Sequence, residues 1–225
     1  RRGHTHRPGA LVVSRKTVSR LSRYRRLLRT LQTDGIESIY SHELARHAVV
    51  TAAQVRRDLM AIGYSGSPNK GYDVTACAES ISHFLDGSVR QDVALVGVGN
   101  LGHALLSYLV GRRPNLTIRA AFDANPALQG LAIYGCPCYR PEDMETVLAN
   151  YNIRTAILAV PAGTAQTVAE RLVACGIRSI LNFAPTRLNL PNDIYVEDMD
   201  ISASLERAAF YARRTEDDSA AQAQS

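Results

Sequence analysis

The chain has 225 residues, enough for two small domains, and its 46% hydrophobic and 21% charged residues are typical of globular proteins. No stretch approaches the roughly 18 consecutive apolar residues that a membrane helix needs, and only Leu11-Val12-Val13 follows the basic N-terminus, too little for a signal-peptide core. We therefore expect a cytoplasmic protein.

Charge is distributed unevenly along the chain. Residues 1–75 contain 14 Lys and Arg against 5 Asp and Glu, a net charge of +9, whereas residues 76–225 contain 12 against 16, a net charge of −4. This asymmetry predicts a polyanionic partner for the N-terminal third alone. Residues 1–16 are predicted to be a basic disordered tail, but a solvated tail does not explain the basic residues that continue beyond it.

Three helices and a wing are predicted in this N-terminal third. Apolar residues recur every three or four positions over 17–31, and shorter helices are predicted over 42–47 and from Thr51 to about residue 62. The stretch 64–72, rich in Gly and Pro, predicts a hairpin or wing. Residues 17–78 are thus predicted to form a winged helix-turn-helix domain.

In such a domain the third helix lies in the major groove of DNA, with its first residues nearest the base edges. Arginine can donate two hydrogen bonds to guanine and glutamine can bond adenine, while a hydroxyl at a helix start suits phosphate. The candidate DNA-binding residues are therefore Thr51, Gln54, Arg56, Arg57 and, on the wing, Lys70. A helical bundle used for protein contacts is the alternative, which the net charge of +9 disfavours.

A glycine-rich turn follows at Gly97, Gly99 and Gly102. A buried strand is predicted before it and an apolar helix after it, and a second strand over 117–122 ends at Asp123, 21 residues beyond Gly102. This is the dinucleotide-binding fingerprint in its required context of strand, turn, helix, strand and acid. A glycine turn that binds nothing is the alternative.

Each residue of the fingerprint has a predicted role. Gly97 permits the tight turn, Gly99 lets the backbone approach a pyrophosphate, and Gly102 lets helix and strand pack closely. Asp123 would accept hydrogen bonds from ribose hydroxyls and repel a 2′-phosphate, so NAD(H) is favoured over NADP(H). The loop at Val160 and Pro161 is expected to line the same crevice. The predicted cofactor-binding residues are Gly97, Val98, Gly99, Asn100, Leu101, Gly102, Asp123, Val160 and Pro161.

Further strands are predicted over 154–160, 178–182 and 194–197, with a helix between the first two. This alternation predicts a parallel sheet with helices on both faces, so the fold class is α/β, with a Rossmann domain over 79–199. A final amphipathic helix has Ile201, Leu205, Ala208 and Ala209 as its apolar face, and 215–225 is predicted to be a disordered tail. Two arrangements are open for this helix: it packs on its own domain, or it is exchanged between subunits.

Taken together, these stretches resemble the Rex family of redox-sensing repressors from about Val18 to Arg213. The matching segments are Ser19-Arg20-Leu21, Gln54-Val55-Arg56-Arg57-Asp58, Lys70-Gly71-Tyr72, Gly97-Val98-Gly99-Asn100-Leu101-Gly102, Ala121-Phe122-Asp123, Ala159-Val160-Pro161-Ala162, Asn182-Phe183-Ala184-Pro185 and Met199-Asp200-Ile201. Any one of them alone would be weak, whereas the ordered set is specific.

The resemblance implies a homodimer that binds palindromic operators and is released when NADH replaces NAD⁺, so that it responds to the NADH/NAD⁺ ratio. It also implies that residues 200–214 form a helix swapped onto the partner subunit. A redox-dependent polar network in the family is similar to Arg20, Tyr108 and Asp200 here, which places Tyr108 in the cofactor region as well.

Other function classes fit less well. An NAD-dependent oxidoreductase needs an acid–base group beside its substrate, but no lysine follows Lys70 and the only later histidines are His83 and His103. No enzyme activity and no catalytic residue are therefore predicted. A nonspecific architectural DNA binder remains a third class. The pair Cys136 and Cys138 lacks the second pair that zinc requires, so no metal is predicted, and peripheral redox chemistry at these thiols is the alternative.

Overall fold

A computed structural model describes residues 13–87, 90–111 and 115–223, with residues 214–223 as backbone only. The chain divides into two compact units, Arg1–Val89 and Arg90–Ser225. Most of the predicted N-terminal tail lies outside the described residues. Within the described ranges, no helix is long and apolar enough to cross a membrane.

Over residues 13–87, the first unit contains four helices and a two-stranded sheet. In chain order these are α1 (Arg15–Thr33), β1 (Ser38–Ile39), α2 (Ser41–Ala48), α3 (Ala52–Ala61), β2 (Tyr72–Asp73) and α4 (Val74–Asp86), with β1 and β2 antiparallel. The three predicted helices and the wing are all present. Helix α1 begins earlier than predicted because the hydroxyl of Ser14 accepts from the backbone N–H of Thr17 at 3.2 Å. Arg15 and Lys16 therefore belong to the helix and not to a tail.

Helix α4 was not predicted, and it corrects the domain boundary proposed at residues 78 and 79. The carboxylate of Asp73 caps this helix by accepting from the N–H of Ala76 at 2.7 Å. The buried side chains of α4, Val74, Cys77, Ala78 and Ile81, belong to the same core as those of α1. Because one continuous helix completes this core, the first unit includes all of α4.

The described part of the second unit, residues 90–111 and 115–223, is built on a seven-stranded sheet. Its elements are β3 (Gln91–Val96), α5 (Asn100–Leu109), β4 (Leu116–Phe122), β5 (Ala132–Ile133), β6 (Cys136–Tyr139), α6 (Met144–Asn150), β7 (Thr155–Leu158), α7 (Ala162–Ala174), β8 (Ser179–Asn182), β9 (Tyr195–Asp198) and α8 (Ile201–Ala223). The strand order is β5-β6-β4-β3-β7-β8-β9, and among these described strands the β5–β6 pair alone is antiparallel. This is the doubly wound Rossmann topology, which confirms the predicted fold class. Strands β5 and β6 and helix α6 were not predicted.

The two faces of the sheet pack into separate cores. On the central strand β3, Ala94 and Val96 belong to the core that also includes Met144 and Leu172 of α6 and α7. The alternate residue Leu95 points to the other face, whose core includes Leu106 of α5. With both faces covered, the open edge is the one at the carboxyl ends of the strands. The order reverses there between β3 and β7, which is where ligands bind in such sheets.

Helix α8 is longer than predicted. It continues to Ala223, so the predicted disordered tail over 215–225 is wrong for all but residues 224 and 225, which lie outside the described part of the chain. The segment contains several alanines, the strongest helix former, which offsets its acidic character. All four residues of the predicted apolar face are exposed, with Ile201 at 62% and Leu205 at 70%.

Candidate dinucleotide and nucleic-acid sites

Two glycines of the loop after β3 are required by the packing of the backbone. Gly97 has a φ of +94°, and a Cβ there would lie 2.4 Å from the carbonyl oxygen of Ala159. At Gly102 a Cβ would lie 2.1 Å from the carbonyl oxygen of Gly97. Atoms cannot approach this closely, so any side chain at either position would displace the loop. These two positions have the turn and packing roles that the fingerprint predicts.

Gly99 is different, because a Cβ there would meet nothing within 4 Å. Its φ of −71° is open to any residue, so neither packing nor backbone conformation requires glycine. It caps the N-terminus of α5, where unpaired backbone N–H groups and the helix dipole attract anions. The open space in front of Gly99, at this helix N-terminus, is a cradle of the kind in which phosphate groups bind.

Asp123 lies directly after β4, and its carboxylate is held by hydrogen bonds from two backbone N–H groups. Its Oδ2 accepts from the N–H of Val98 at 2.6 Å, and its Oδ1 accepts from the N–H of Asn125 at 2.7 Å. An ionised carboxylate has about four acceptor positions, so each oxygen retains capacity for a further donor such as a hydroxyl. The side chain of Val98 is buried, and with its amide bonded to Asp123 its role is to hold this carboxylate.

A cavity of about 740 Å³ opens at this edge of the sheet, within the size range of small-molecule sites. Among its lining residues are seven of the predicted cofactor-binding residues: Gly97, Gly99, Asn100, Leu101, Asp123, Val160 and Pro161. The other two contact the loop: Gly102 packs against the backbone of Gly97, and the N–H of Val98 donates to Asp123. Tyr108 does not line the cavity, since it lies in the last turn of α5, roughly 12 Å along the helix from Asn100 at the usual rise per residue.

The cavity also has walls that the fingerprint does not cover. They include Met144, Thr164, Arg171, Phe183 and Pro185. The loop after β8 is shaped by the buried Asn182, whose Oδ1 accepts from the N–H of Ala184 at 3.0 Å and whose Nδ2 donates to Asp198 at 2.8 Å. The matched segment at residues 182–185 was the only sequence signal for this wall.

The predicted DNA-binding residues lie on the first turns of α3 and on the wing. The hydroxyl of Thr51 caps α3 by accepting from the N–H of Gln54 at 3.1 Å. Arg56 and Arg57 are exposed, and Arg56 donates to the hydroxyl of Ser41 at 2.9 Å. The exposed Lys70 lies in a tight turn closed by two backbone hydrogen bonds of 2.8 Å between Ser67 and Gly71.

The buried carboxylate of Asp58 on α3 was not among the predicted site residues, although it ends the matched segment over residues 54–58. It accepts from Nε of Arg20 at 2.6 Å and Nη2 at 2.8 Å, from the hydroxyl of Tyr24 at 3.0 Å, and from Nε2 of Gln54 at 2.8 Å. Burial tends to raise the pKa of Asp58, but hydrogen bonds from Arg20, Gln54 and Tyr24 together lower it below its ordinary value. The stability it contributes is thus present above its ordinary pKa and is lost as pH falls through the lowered one.

Each of the proposed switch residues Arg20, Tyr108 and Asp200 is described within its own unit. Arg20 is bonded to Asp58, and Asp200 caps α8 by accepting from the N–H of Ala203 at 2.7 Å. Tyr108 is 59% exposed on α5. An acid on the neighbouring helix α3 satisfies Arg20, which the sequence pattern did not reveal.

The thiols of Cys136 and Cys138 are buried in the core of the second unit. Burial raises the pKa of Cys136 to about 11, so little reactive thiolate forms near neutral pH. The alternative of redox chemistry at these cysteines therefore loses support. Among the described residues, no three His, Cys, Asp or Glu side chains gather into a possible metal site.

Fold and sites together define a class of protein that joins a winged-helix unit to a Rossmann unit with a dinucleotide-type cavity. Comparison with family models gives the same division. Residues 12–59 match the family described as "Putative DNA-binding protein N-terminus", and residues 89–186 match the "CoA binding domain" family.

Curated relatives and solved structures extend the likeness over nearly the whole chain. The redox-sensing transcriptional repressor Rex of Latilactobacillus sakei subsp. sakei (strain 23K) is 42% identical over 83% of this chain and 90% of its own. The crystal structure of RSP in complex with β-NAD⁺ and operator DNA superposes with a TM-score of 0.81 at 32% identity, covering 95% of this chain and 99% of that one. The crystal structure of RSP in complex with β-NADH superposes with a TM-score of 0.81 at 33% identity, covering 91% of this chain and 96% of that one.

The chain belongs to the Rex family of redox-sensing transcriptional repressors. Its relatives are named as transcriptional repressors, so it is a regulator and the oxidoreductase alternative is not supported.

Proposed function

We propose that this protein binds operator DNA through α3 and the wing, binds NAD(H) in the cavity of the Rossmann unit, and releases DNA when NADH binds. One observation carries the proposal: a relative solved with both β-NAD⁺ and operator DNA aligns with 95% of this chain. The cradle at Gly99 and the exposed arginines of α3 are the two sites this function requires. Because bacterial operator DNA lies in the cytoplasm, the protein acts there.

The residues of the cavity fit a dinucleotide. The backbone around Gly97, Gly99 and Asn100 would hold the pyrophosphate, and Asp123 would accept from the hydroxyls of the adenosine ribose. The charge of Asp123 opposes a 2′-phosphate, which favours NAD(H) over NADP(H). We propose that bound NAD(H) serves as a signal and not as a reactant.

On the DNA side, the positions and exposure of the candidate residues support different proposed tasks. Arg57 and Arg56 on α3 suit the guanine edges of the major groove, and Gln54 beside them suits a second base. Thr51 at the helix start and Lys70 on the wing suit phosphates, which fix the orientation of the protein without reading the sequence.

We propose that the protein is a homodimer, because a palindromic operator has two-fold symmetry and suits a two-fold protein. Helix α8 has exposed apolar side chains, among them Ile201 and Leu205. Contact with a second copy of this chain would bury them. We propose that residues 200–214 are exchanged between the two subunits. A helix shared in this way can transmit a change at the cavity to the dimer arrangement.

Arg20, Tyr108 and Asp200 are the proposed switch residues. NADH can release DNA only if it binds more tightly to the dimer arrangement that does not fit the operator. Pairing of Asp200 with Arg20 in one arrangement and not in the other would supply part of this difference. In the present structure Arg20 is bonded to Asp58, so the switch requires Arg20 to change or share its partner.

The test begins by selecting an operator duplex from a random pool with the wild-type protein. Its affinity is then measured by fluorescence anisotropy with no cofactor, with NAD⁺ and with NADH, and a scrambled duplex of the same composition is the control. We expect tight binding to the selected duplex alone, weakened by NADH and not by NAD⁺. Equal affinity for both duplexes would instead indicate the architectural class, and indifference to NADH would contradict the proposed signal.

A further inference from the structure

We propose that Asp58 is a positioning residue for operator recognition, because it fixes the amide of Gln54 on α3 while tying α3 to Arg20 of α1. The inference deepens the proposed function and depends on it. Asp58 itself is buried, with its side chain 3% exposed, so it acts through Gln54 and does not touch DNA.

The carboxylate of Asp58 is fully used by its neighbours. Its Oδ1 accepts from Nη2 of Arg20 at 2.8 Å and from Nε2 of Gln54 at 2.8 Å. Its Oδ2 accepts from Nε of Arg20 at 2.6 Å and from the hydroxyl of Tyr24 at 3.0 Å. Four donors match the four acceptor positions of a carboxylate, so the geometry of each donor is constrained by the other three.

This bonding determines which end of the Gln54 amide faces the protein. An ionised carboxylate only accepts hydrogen bonds, so the amide nitrogen of Gln54, and not its oxygen, must face Asp58. The carbonyl oxygen is then left to accept from another donor. In the major groove such donors are the amino groups of adenine and cytosine. A fixed amide therefore favours particular bases, whereas a rotating one would bond with either end and select less sharply.

Fixing a side chain in advance also matters for affinity. Glutamine is among the side chains that lose most rotamer freedom when they are ordered. Since Asp58 already orders Gln54 in the free protein, less of that freedom is lost on binding DNA. The effect applies to the DNA on which the amide makes a base contact and is absent on random DNA. Asp58 should thus alter discrimination more than general DNA affinity.

The same unit contains a matched ion pair that does not involve α3. Arg25, also on α1, donates from Nη1 to Oδ1 of Asp86 on α4 at 2.6 Å, and the two side chains are 10% and 19% exposed. Both pairs join an arginine of α1 to an acid on another helix at the same distance. Removing either acid should destabilise the unit, but of the two only Asp58 contacts Gln54, a residue proposed to bind a DNA base. Asp86 is therefore the control for a purely structural role.

The experiment compares Asp58→Asn with Asp86→Asn in the full chain without cofactor. Affinities for the duplex selected by the wild type and for its scrambled control give a discrimination ratio, and thermal unfolding reports stability. We expect both variants to unfold at lower temperature. Asp58→Asn should lose about tenfold in the ratio, the order of one base contact. Asp86→Asn should keep the ratio within about twofold of the wild-type value, because independent sites couple by no more than about 0.5 kcal/mol.

A second pair of variants covers the case in which Asp58→Asn does not fold. Arg20→Lys keeps the positive charge but cannot hold both oxygens of Asp58 as a planar fork, and Arg25→Lys is its control. The ratio should fall for Arg20→Lys and stay unchanged for Arg25→Lys. In a Gln54→Ala background, Arg20→Lys and Asp58→Asn should cause no further loss, since the side chain they position is gone.

The outcomes separate the inference from the proposed function. If the wild type prefers no duplex, the proposed function fails and this inference fails with it. If the wild type prefers the selected duplex while the Asp58 and Arg20 variants keep its ratio, the positioning role alone is overturned. The same holds if the Asp86 and Arg25 controls lose as much discrimination as the Asp58 and Arg20 variants.

Discussion

The glycine loop of the Rossmann unit and the recognition surface of α3 are built in different ways. In the loop, backbone atoms approach so closely that Gly97 and Gly102 admit no side chain. On α3, by contrast, the arrangement depends on side chains, above all on the carboxylate of Asp58 that bonds Gln54 and Arg20. The first site is rigid because sterics permit one geometry. The second is rigid only as long as its hydrogen bonds are complete.

The difference between these sites predicts how each fails. A side chain added at Gly97 or Gly102 should disrupt the fold, whereas one added at Gly99 should leave the fold intact and block the ligand. A change on α3 should leave a folded protein that binds DNA less selectively. The following variants test this contrast.

The largest effect is expected at Gly102. In Gly102→Ala the new Cβ would lie 2.1 Å from a backbone oxygen, so the loop and α5 must move apart, at a cost of about 3 kcal/mol in the free energy of unfolding. Gly99→Ala is the matched control, since its Cβ meets nothing, and it should cost about 1 kcal/mol or less. Urea unfolding without cofactor measures both. Equal losses for the two variants would show that the loop is not held by close contact at Gly102.

A loss of selectivity is expected from Arg57→Ala. If Arg57 makes a paired contact with a guanine, its loss should cost about 1–3 kcal/mol on the selected operator and much less on scrambled DNA. Lys70→Ala should weaken binding to both duplexes alike and reduce the salt dependence by about one counterion. Anisotropy titrations at several salt concentrations measure both quantities. Identical behaviour of the two variants would remove the distinction between reading and positioning residues.

An intermediate effect is expected from Asp123→Asn. The amide oxygen can still accept from the N–H of Val98, although the amide nitrogen cannot accept from the N–H of Asn125, whereas alanine would remove both hydrogen bonds. Loss of the charge-assisted ribose contacts should weaken NADH binding about tenfold and reduce the preference for NADH over NADPH. Calorimetric titration with both dinucleotides measures this. Unchanged affinity and preference would mean that Asp123 only supports the loop.

The smallest effect is expected from Asp200→Asn. Asparagine caps a helix as well as aspartate does, so α8 keeps its first turn while the charge proposed to pair with Arg20 is removed. Because exposed ion pairs contribute at most about 1 kcal/mol, the ratio of operator affinities without and with NADH should fall about two- to fivefold. Glu206→Gln, an exposed change on the same helix, is the control. A wild-type ratio in Asp200→Asn would exclude Asp200 from the switch.

The glycine loop could be predicted from the sequence, whereas the side-chain network of α3 could not. The spacing of Gly97, Gly99, Gly102 and Asp123 implied the loop and its acid because a fixed backbone geometry requires a fixed spacing. No spacing predicts the bond between Arg20 and Asp58, which are 38 residues apart and meet only through helix packing. Side-chain networks of this kind are specified by the three-dimensional arrangement and have no local signature.

The elements that were missed have physical reasons as well. Strands β5 and β6 contain two and four residues, too few for alternation to be recognised. Helix α4 did leave a signal, an Asp73 cap followed by apolar residues at Val74, Cys77, Ala78 and Ile81. The end of α8 was misjudged because its acidic residues suggested disorder, although the alanines that follow them favour helix.

The central claim is that NADH bound in the cavity beside Gly99 controls DNA binding by the other unit. The most direct test is operator binding by Gly99→Ala across a full NADH titration, measured by anisotropy beside the wild type. We predict that both proteins bind the operator equally well without cofactor, and that NADH releases the wild type but not the variant. Release of Gly99→Ala at the same NADH concentrations as the wild type would contradict the account.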